Sequence, residues 1–151
     1  MGSQQTPAFG FKFWVGYLKV ASLFFALMGA MWALLGSFDP IGVYDHAFAQ
    51  AFWGTDQLPA DAQKAFSFIL GPFGATTAAY FVMQYYIAVH AYAQRQRWGY
   101  DAIVVPFVGW FVLDTTMSLI HKAYFNILIA NIPCLLVMLP IFFTRRYFKE
   151  K

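Results

Sequence analysis

The sequence predicts an all-α integral membrane protein, a four-helix bundle with a short amphipathic helix in the loop between helices 1 and 2. Three observations lead to this fold class. Hydrophobic residues make up 60% of the 151 residues and charged residues only 11%, whereas a soluble domain carries about 25% charged residues. The ionisable residues leave four stretches long enough to cross a membrane, which takes about 20 apolar residues. Most basic residues, finally, fall on one side of that arrangement.

The four spans form a single domain over residues 1–151, and they are predicted at about 15–38, 72–94, 102–120 and 126–145. No charge lies between Lys19 and Asp39, and only His90 interrupts the uncharged stretch between Lys64 and Arg95. The Gly71-Pro72 pair predicts a kink or restart of helix 2, because proline disfavours helix at the preceding residue. The small residues after Pro72, with Gly29 and Gly109, favour close helix approach.

The connection between helices 3 and 4 must be a reversal, since one helix through both would be about twice as long as a membrane is thick. The polar cluster of His121, Lys122 and Asn126 is the candidate for this turn. Asn126 is expected to cap the N-terminus of helix 4 by accepting from amides of the first turn. Helices 3 and 4 are then antiparallel neighbours.

The outer loop, residues 39–64, is expected to hold the short amphipathic helix. Asp39-Pro40 is typical of a helix start, with an acidic N-cap followed by proline in the first turn. Apolar residues then recur at three- and four-residue spacing, at Ile41, Tyr44, Phe48 and Phe52. This pattern predicts a helix that lies on the membrane surface or caps the bundle.

The distribution of basic residues predicts the orientation. With four spans, one side holds eight of the ten basic residues, namely Lys12, Lys19, Arg95, Arg97, Arg145, Arg146, Lys149 and Lys151. Basic residues near spans accumulate on the cytoplasmic side, so both termini are predicted to be cytoplasmic in a multi-pass protein of the cell (inner) membrane. The net charge of +3 follows this topology, which excludes a nucleic-acid partner.

Asp114 is the one acid inside a predicted span, and an acid at that depth needs a polar partner or water. From its depth we expect a hydrogen bond to Asn131 on helix 4, with Tyr80 and Ser118 completing a polar intramembrane cluster. Such a cluster is either a substrate or proton site or a hydrogen bond that holds helices together. Ser118 and His121 share a helical face with Asp114, but their axial separation argues against a catalytic triad.

Two further groups of side chains are candidates for binding. His121, His46 and Asp45 on the outer side form a candidate outer-face site, although their spacing matches no metal motif and no metal is predicted. Arg145, Arg146 and Lys149 form a basic cluster next to a span, where they can contact anionic lipid. The single cysteine, Cys134, excludes a disulfide framework.

Three classes of function remain. The first is a noncatalytic accessory subunit, or a bundle that binds lipid or other membrane subunits. The second is a membrane-embedded enzyme or carrier for a lipophilic substrate such as an isoprenoid, a sterol-like lipid or a quinone, centred on Asp114. The third is a proton- or ion-coupled transporter or channel, for which four spans favour homo-oligomerisation. No catalytic set and no cofactor can be assigned from the residues, and the shortage of reactive groups favours the first class.

Overall fold

A computed structural model describes residues 8–36 and 39–148, and every regular element within them is helical. The elements are α1 (Ala8–Leu35), α2 (Val43–Trp53), α3 (Ala60–Ile87), α4 (Arg97–Ile120), α5 (Tyr124–Asn126) and α6 (Ile132–Phe142). One π-helical turn, Ala88–Tyr92, extends α3, a second, Ile127–Asn131, joins α5 to α6, and a 3-10 turn, Phe143–Tyr147, follows α6. The all-α class is confirmed for the described residues.

Four helical stretches are long and apolar enough to cross a membrane, which identifies a multi-pass membrane protein. They are Gly10–Leu35, Ala60–Tyr92, Arg97–Ile120 and Tyr124–Tyr147. The second begins well before its expected start near residue 72, because α3 passes through Pro72 without a break. The expected restart at Gly71-Pro72 is therefore wrong. Proline costs this helix one backbone hydrogen bond, and the packing of the following residues against α1 offsets that loss.

The contact between α1 and α3 depends on two glycines. A Cβ added to Gly74 would lie 2.5 Å from the Gly29 carbonyl oxygen and 2.5 Å from the Ala33 amide nitrogen, closer than real Cβ contacts allow. The two backbones therefore touch, which confirms the close approach expected from the small residues of helix 2 and from Gly29. Gly109 plays no such part, since a Cβ there would meet nothing within 4 Å.

One end of the molecule has an aromatic core, where the beginning of α1, the α3–α4 turn (residues 93–96) and residues 143–148 meet. The Phe11 ring centroid lies 5.5 Å from that of Tyr92 and 5.2 Å from that of Tyr147. The buried Tyr92 hydroxyl donates to Thr144 Oγ1 at 2.7 Å. We call this the arginine end, for the arginines described below, and the opposite end, with α2 and the α4–α5 turn, the α2 end.

The reversal between α4 and α5 lies where the sequence predicts it. α4 ends at Ile120, Lys122 adopts a left-handed backbone conformation (φ 56°), and Ala123 is the N-cap of α5. The prediction that Asn126 is the N-cap is wrong, because the helical segment begins at Tyr124 and places Asn126 inside its first turn. Its side chain is thereby available to other helices.

α2 begins at Val43, three residues later than the Asp39-Pro40 pair predicts. Its N-cap is Gly42, whose left-handed conformation (φ 67°) suits a residue without a side chain. Asp39 still satisfies the free amides, because its Oδ2 accepts from the backbone N–H groups of Tyr44 at 2.6 Å and Asp45 at 2.9 Å. The acid therefore caps the helix from outside the N-cap position.

Aromatic rings attach α2 to its neighbours. The Phe48 centroid lies 4.4 Å from that of Phe66 on α3 and 6.0 Å from that of Phe125 on α5. The Tyr44 ring also packs edge-on against Phe125, at 5.2 Å. These contacts hold α2 across the ends of α3 and α5, where its first turn lies next to Asn126.

Candidate functional site

Asp114 and its neighbours form the polar centre of the α2 end. Asp114 is half-buried on α4, and Ser118 lies one turn later, buried at 6% exposure. The Asn126 side-chain nitrogen donates to Asp114 Oδ2 at 2.7 Å and to Ser118 Oγ at 2.9 Å. An amide nitrogen carries two hydrogens, so each bond uses one of them. Asn126 thus joins α5 to two successive turns of α4.

Tyr44 brings α2 into the same network. Its hydroxyl donates to Asn126 Oδ1 at 3.0 Å. Burial, followed by the negative charges of Asp114 and Asp45, raises the pKa of Tyr44 to about 12. The hydroxyl therefore remains protonated at neutral pH and is able to donate. With the oxygen of Asn126 turned towards Tyr44, its nitrogen is turned towards Asp114.

The expected hydrogen bond between Asp114 and Asn131 is not formed. The Asn131 side-chain nitrogen donates to Thr115 Oγ1 at 2.9 Å, and the amide that donates to Asp114 is that of Asn126. The difference follows from the start of α5, since a residue in the first turn, not bound in a cap, can reach across to α4. Asn131 is wholly buried, at 0% exposure, and its Oδ1 has no hydrogen-bond partner among the described residues.

Asn131 also ends the π-helical turn Ile127–Asn131, directly before Ile132 and Pro133. Pro133 has no backbone N–H, so the regular hydrogen-bond ladder cannot continue unchanged through this position. The wide turn accommodates that loss, and single π turns of this kind occur frequently at functional sites.

The Tyr80 hydroxyl, the fourth member of the expected cluster, has no partner among the described residues although its oxygen is buried. The Tyr80 ring packs edge-on against Phe81, with centroids 5.1 Å apart. No hydrogen bond links it to Asp114 within the described part of the chain. Of the four residues expected together, the structure joins Asp114 and Ser118 through Asn126.

Sequence reasoning missed two polar contributions. The sequence pattern places Tyr44 on the apolar face of an amphipathic helix, and its position in the first turn of α2 is the signal that could indicate a contact with the bundle. Gln84 is buried at 3% exposure and donates to Ser22 Oγ at 3.2 Å, which links α3 to α1. The signal for Gln84 was present, because an amide in a long uncharged stretch needs a partner inside the membrane.

The outer-face residues make separate contacts. His46 Nδ1 lies 3.3 Å from the Asp56 carbonyl oxygen and 3.9 Å from Asp56 Oδ1, and both side chains are exposed. His121 is exposed at the end of α4. Among the described residues, the Ser118 hydroxyl is bonded to Asn126, so the triad geometry of Asp114, Ser118 and His121 is not assembled. Within residues 8–36 and 39–148, no group of three or more His, Cys, Asp or Glu side chains could hold a metal ion.

The basic cluster lies in the 3-10 turn at the arginine end. Arg145 and Arg146 are both exposed there, and Lys149 lies outside the described residues. The Arg146 guanidinium donates to the Tyr147 hydroxyl at 3.3 Å and lies 5.2 Å above the same ring. Arg146 is therefore held against an aromatic ring on the surface of this end.

Comparison of the chain with protein-family models, with curated proteins and with solved structures finds no match. A proposal for the function must therefore rest on the arrangement of the side chains. Chemically, the network at the α2 end is one carboxylate and one serine hydroxyl that both accept from the neutral amide of Asn126.

Proposed function

We propose that the chain is a noncatalytic accessory protein of the cell (inner) membrane whose helical bundle binds lipid or other membrane subunits. One observation carries this proposal. The side-chain amide of Asn126 donates its two hydrogens to Asp114 and Ser118, and its oxygen accepts from Tyr44. Asn126 therefore joins α2, α4 and α5 together, and the acid Asp114 has a structural role as one of its partners, which needs no substrate.

The proposal includes an orientation with both termini in the cytoplasm. Basic residues concentrate at the arginine end, at the α3–α4 turn and after α6, whereas Lys64 and Lys122 lie on the α2 side of the chain. The positive-inside rule supports the arginine end as the cytoplasmic one. α2 is then the amphipathic helix of the outer loop. Its exposed Phe52 and Trp53 suit the boundary between membrane and water, where aromatic side chains are enriched.

The test is to purify the protein in mild detergent and identify by native mass spectrometry what accompanies it. The proposal expects a stoichiometric partner or lipid, and it expects the Asp114→Asn variant to retain the same molecule. A strictly monomeric protein without lipid would contradict it, as would loss of the bound molecule from Asp114→Asn alone. The Thr116→Val variant is a matched control, because that exposed hydroxyl bonds only within its own helix, to the Val112 carbonyl.

A second candidate is a carrier or enzyme for a lipophilic substrate such as an isoprenoid, a sterol-like lipid or a quinone. The observation in its favour is the wholly buried Asn131, whose side-chain oxygen lacks a donor among the described residues. A buried acceptor without a partner costs about 1–3 kcal/mol, and a substrate hydroxyl would remove that cost. This candidate expects a small lipophilic molecule in organic extracts of the wild type that is missing from Asn131→Leu.

A further inference from the structure

The arginine end brings together basic side chains that are distant in sequence. Arg95 lies in the α3–α4 turn and Arg146 in the 3-10 turn after α6. The Arg95 guanidinium carbon is 4.8 Å from the centroid of Phe11, and that of Arg146 is 5.2 Å from the centroid of Tyr147. The Phe11 and Tyr147 rings are themselves 5.2 Å apart. Two arginines are thus placed on a pair of contacting rings.

The aromatic pair has a fixed position. Phe11 is buried at 3% exposure and Tyr147 at 8%, and Phe148 packs against Phe11 with centroids 5.7 Å apart. A guanidinium that lies on a ring is oriented by that contact while its N–H groups remain available at its edge. The arginine side chains are thereby ordered before a ligand binds, so binding an anion costs less side-chain entropy.

Among the described residues, the positive charge at this end is not balanced by carboxylates. Arg97 is paired with Asp101, with Nε 3.0 Å from Oδ2. For Arg95, Arg145 and Arg146, the part of the chain that the structure describes supplies no carboxylate within 4 Å. Three exposed guanidiniums therefore lie around one aromatic core without a counter-ion from the described residues.

We propose that Arg95 and Arg146, with Arg145 beside them, form a binding site for a phosphate-bearing anion, the phosphodiester of an anionic lipid headgroup or free phosphate. Arginine matches phosphate because its planar fork donates two parallel hydrogen bonds. The end of four span-length helices lies at the level of headgroups, which places lipid phosphodiester within reach. This inference rests on the lipid-binding part of the proposed function, and it specifies that the bound lipid is anionic.

The chain contains its own control for a basic residue that is not held on an aromatic ring. Lys122 ends α4 in a left-handed turn (φ 56°), as Arg95 does after α3 (φ 57°), and both side chains are exposed. The described cation–ring contacts include Arg95 and do not include Lys122. The two residues therefore share a backbone conformation and a charge, and they differ in the ring beneath and in the planar guanidinium that lysine lacks.

The experiment measures retention of phosphatidylglycerol against phosphatidylcholine by native mass spectrometry of the full-length protein from mixed micelles. A basic residue next to an anionic headgroup contributes about fivefold in affinity, so the Arg95→Gln/Arg146→Gln double variant is expected to lose roughly 25-fold of the preference for phosphatidylglycerol. The Lys64→Gln/Lys122→Gln variant, with the same change in charge at the other end, is expected to keep it. Equal losses in both variants would overturn the site in favour of a general charge effect.

Two additions keep the result interpretable. Arg95→Lys/Arg146→Lys retains charge and fold without the planar fork, and it is expected to lie between the wild type and the glutamine variant; behaviour like the wild type would overturn the arginine-specific site. A titration with inorganic phosphate distinguishes the sources. Binding of phosphatidylglycerol alone identifies the lipid, binding of both identifies a general phosphate site, and binding of neither rejects the proposal. Asp114→Asn tests the proposed function and leaves this end unchanged, so either idea can fail alone.

Discussion

Replacing Asn126 by alanine should destabilise the protein more than replacing the acid it holds. The Asn126 side chain takes part in three hydrogen bonds, to Asp114 at 2.7 Å, Ser118 at 2.9 Å and Tyr44 at 3.0 Å. Asn126→Ala removes all three and leaves the carboxylate without its donor. Asp114→Asn keeps an oxygen that can still accept from Asn126, so most of the network survives.

The expected magnitude follows from measured bonds between membrane helices, which contribute about 0.6 kcal/mol on average and about 1.7 kcal/mol at most. Three such bonds amount to about 2 kcal/mol, and the carboxylate left without a donor adds about 1–3 kcal/mol. Alanine is the better helix former by roughly 0.5 kcal/mol, which reduces the loss slightly. We therefore expect Asn126→Ala to cost about 2.5–4.5 kcal/mol and Asp114→Asn under about 1 kcal/mol.

The assay is reversible unfolding in mixed micelles with increasing dodecyl sulfate, followed by the fluorescence of the five tryptophans. Thr116→Val is the control, because an exposed hydroxyl bonded within its own helix should change the free energy of unfolding by less than about 0.5 kcal/mol. An Asn126→Ala loss no larger than that of the control would show that the network does not hold the helices, and the reasoning would be wrong.

Two further predictions concern packing and titration. Gly74→Val should cost about 3 kcal/mol or prevent folding, because its Cβ would meet the backbone of α1, whereas Gly109→Ala, open to 4 Å, should be neutral or slightly stabilising in the same unfolding assay. Tyr44, with its pKa raised from 10 to about 12, binds its proton more tightly in the folded state, so it should make stability fall as pH rises from about 10 to about 12. Subtracting the unfolding free energies of Tyr44→Phe from those of the wild type at each pH isolates this effect, and a flat difference would contradict it.

The helical architecture could be predicted from the sequence because uncharged length dictates membrane spans. The residues at which helices begin and end are harder to predict from sequence. At Pro72 the local preference of proline favours a break, but the contact of the next turn with α1 outweighs it. The sequence indicates where the polar network lies, but the hydrogen-bond partner that it predicts for Asp114 is wrong. A shift of the helix start from Asn126 to Tyr124 changes which amide faces Asp114, and capping preferences do not resolve a shift of that size.

The α1–α3 pair and the short helix α2 are held in the molecule by different contacts, and this difference determines which of them should separate first. α1 and α3 touch backbone to backbone at Gly29 and Gly74, where separation would lose packing along the contact. α2 is attached to the rest by aromatic contacts and by the Tyr44 hydroxyl, which is linked to α4 through Asn126. Since a short helix held by a few aromatic contacts and one hydrogen bond has less packing than two span-length helices in backbone contact, α2 should detach before α1 and α3 separate. Hydrogen exchange should therefore be faster for the amides of α2 than for those around Gly74, and the reverse order would contradict this division.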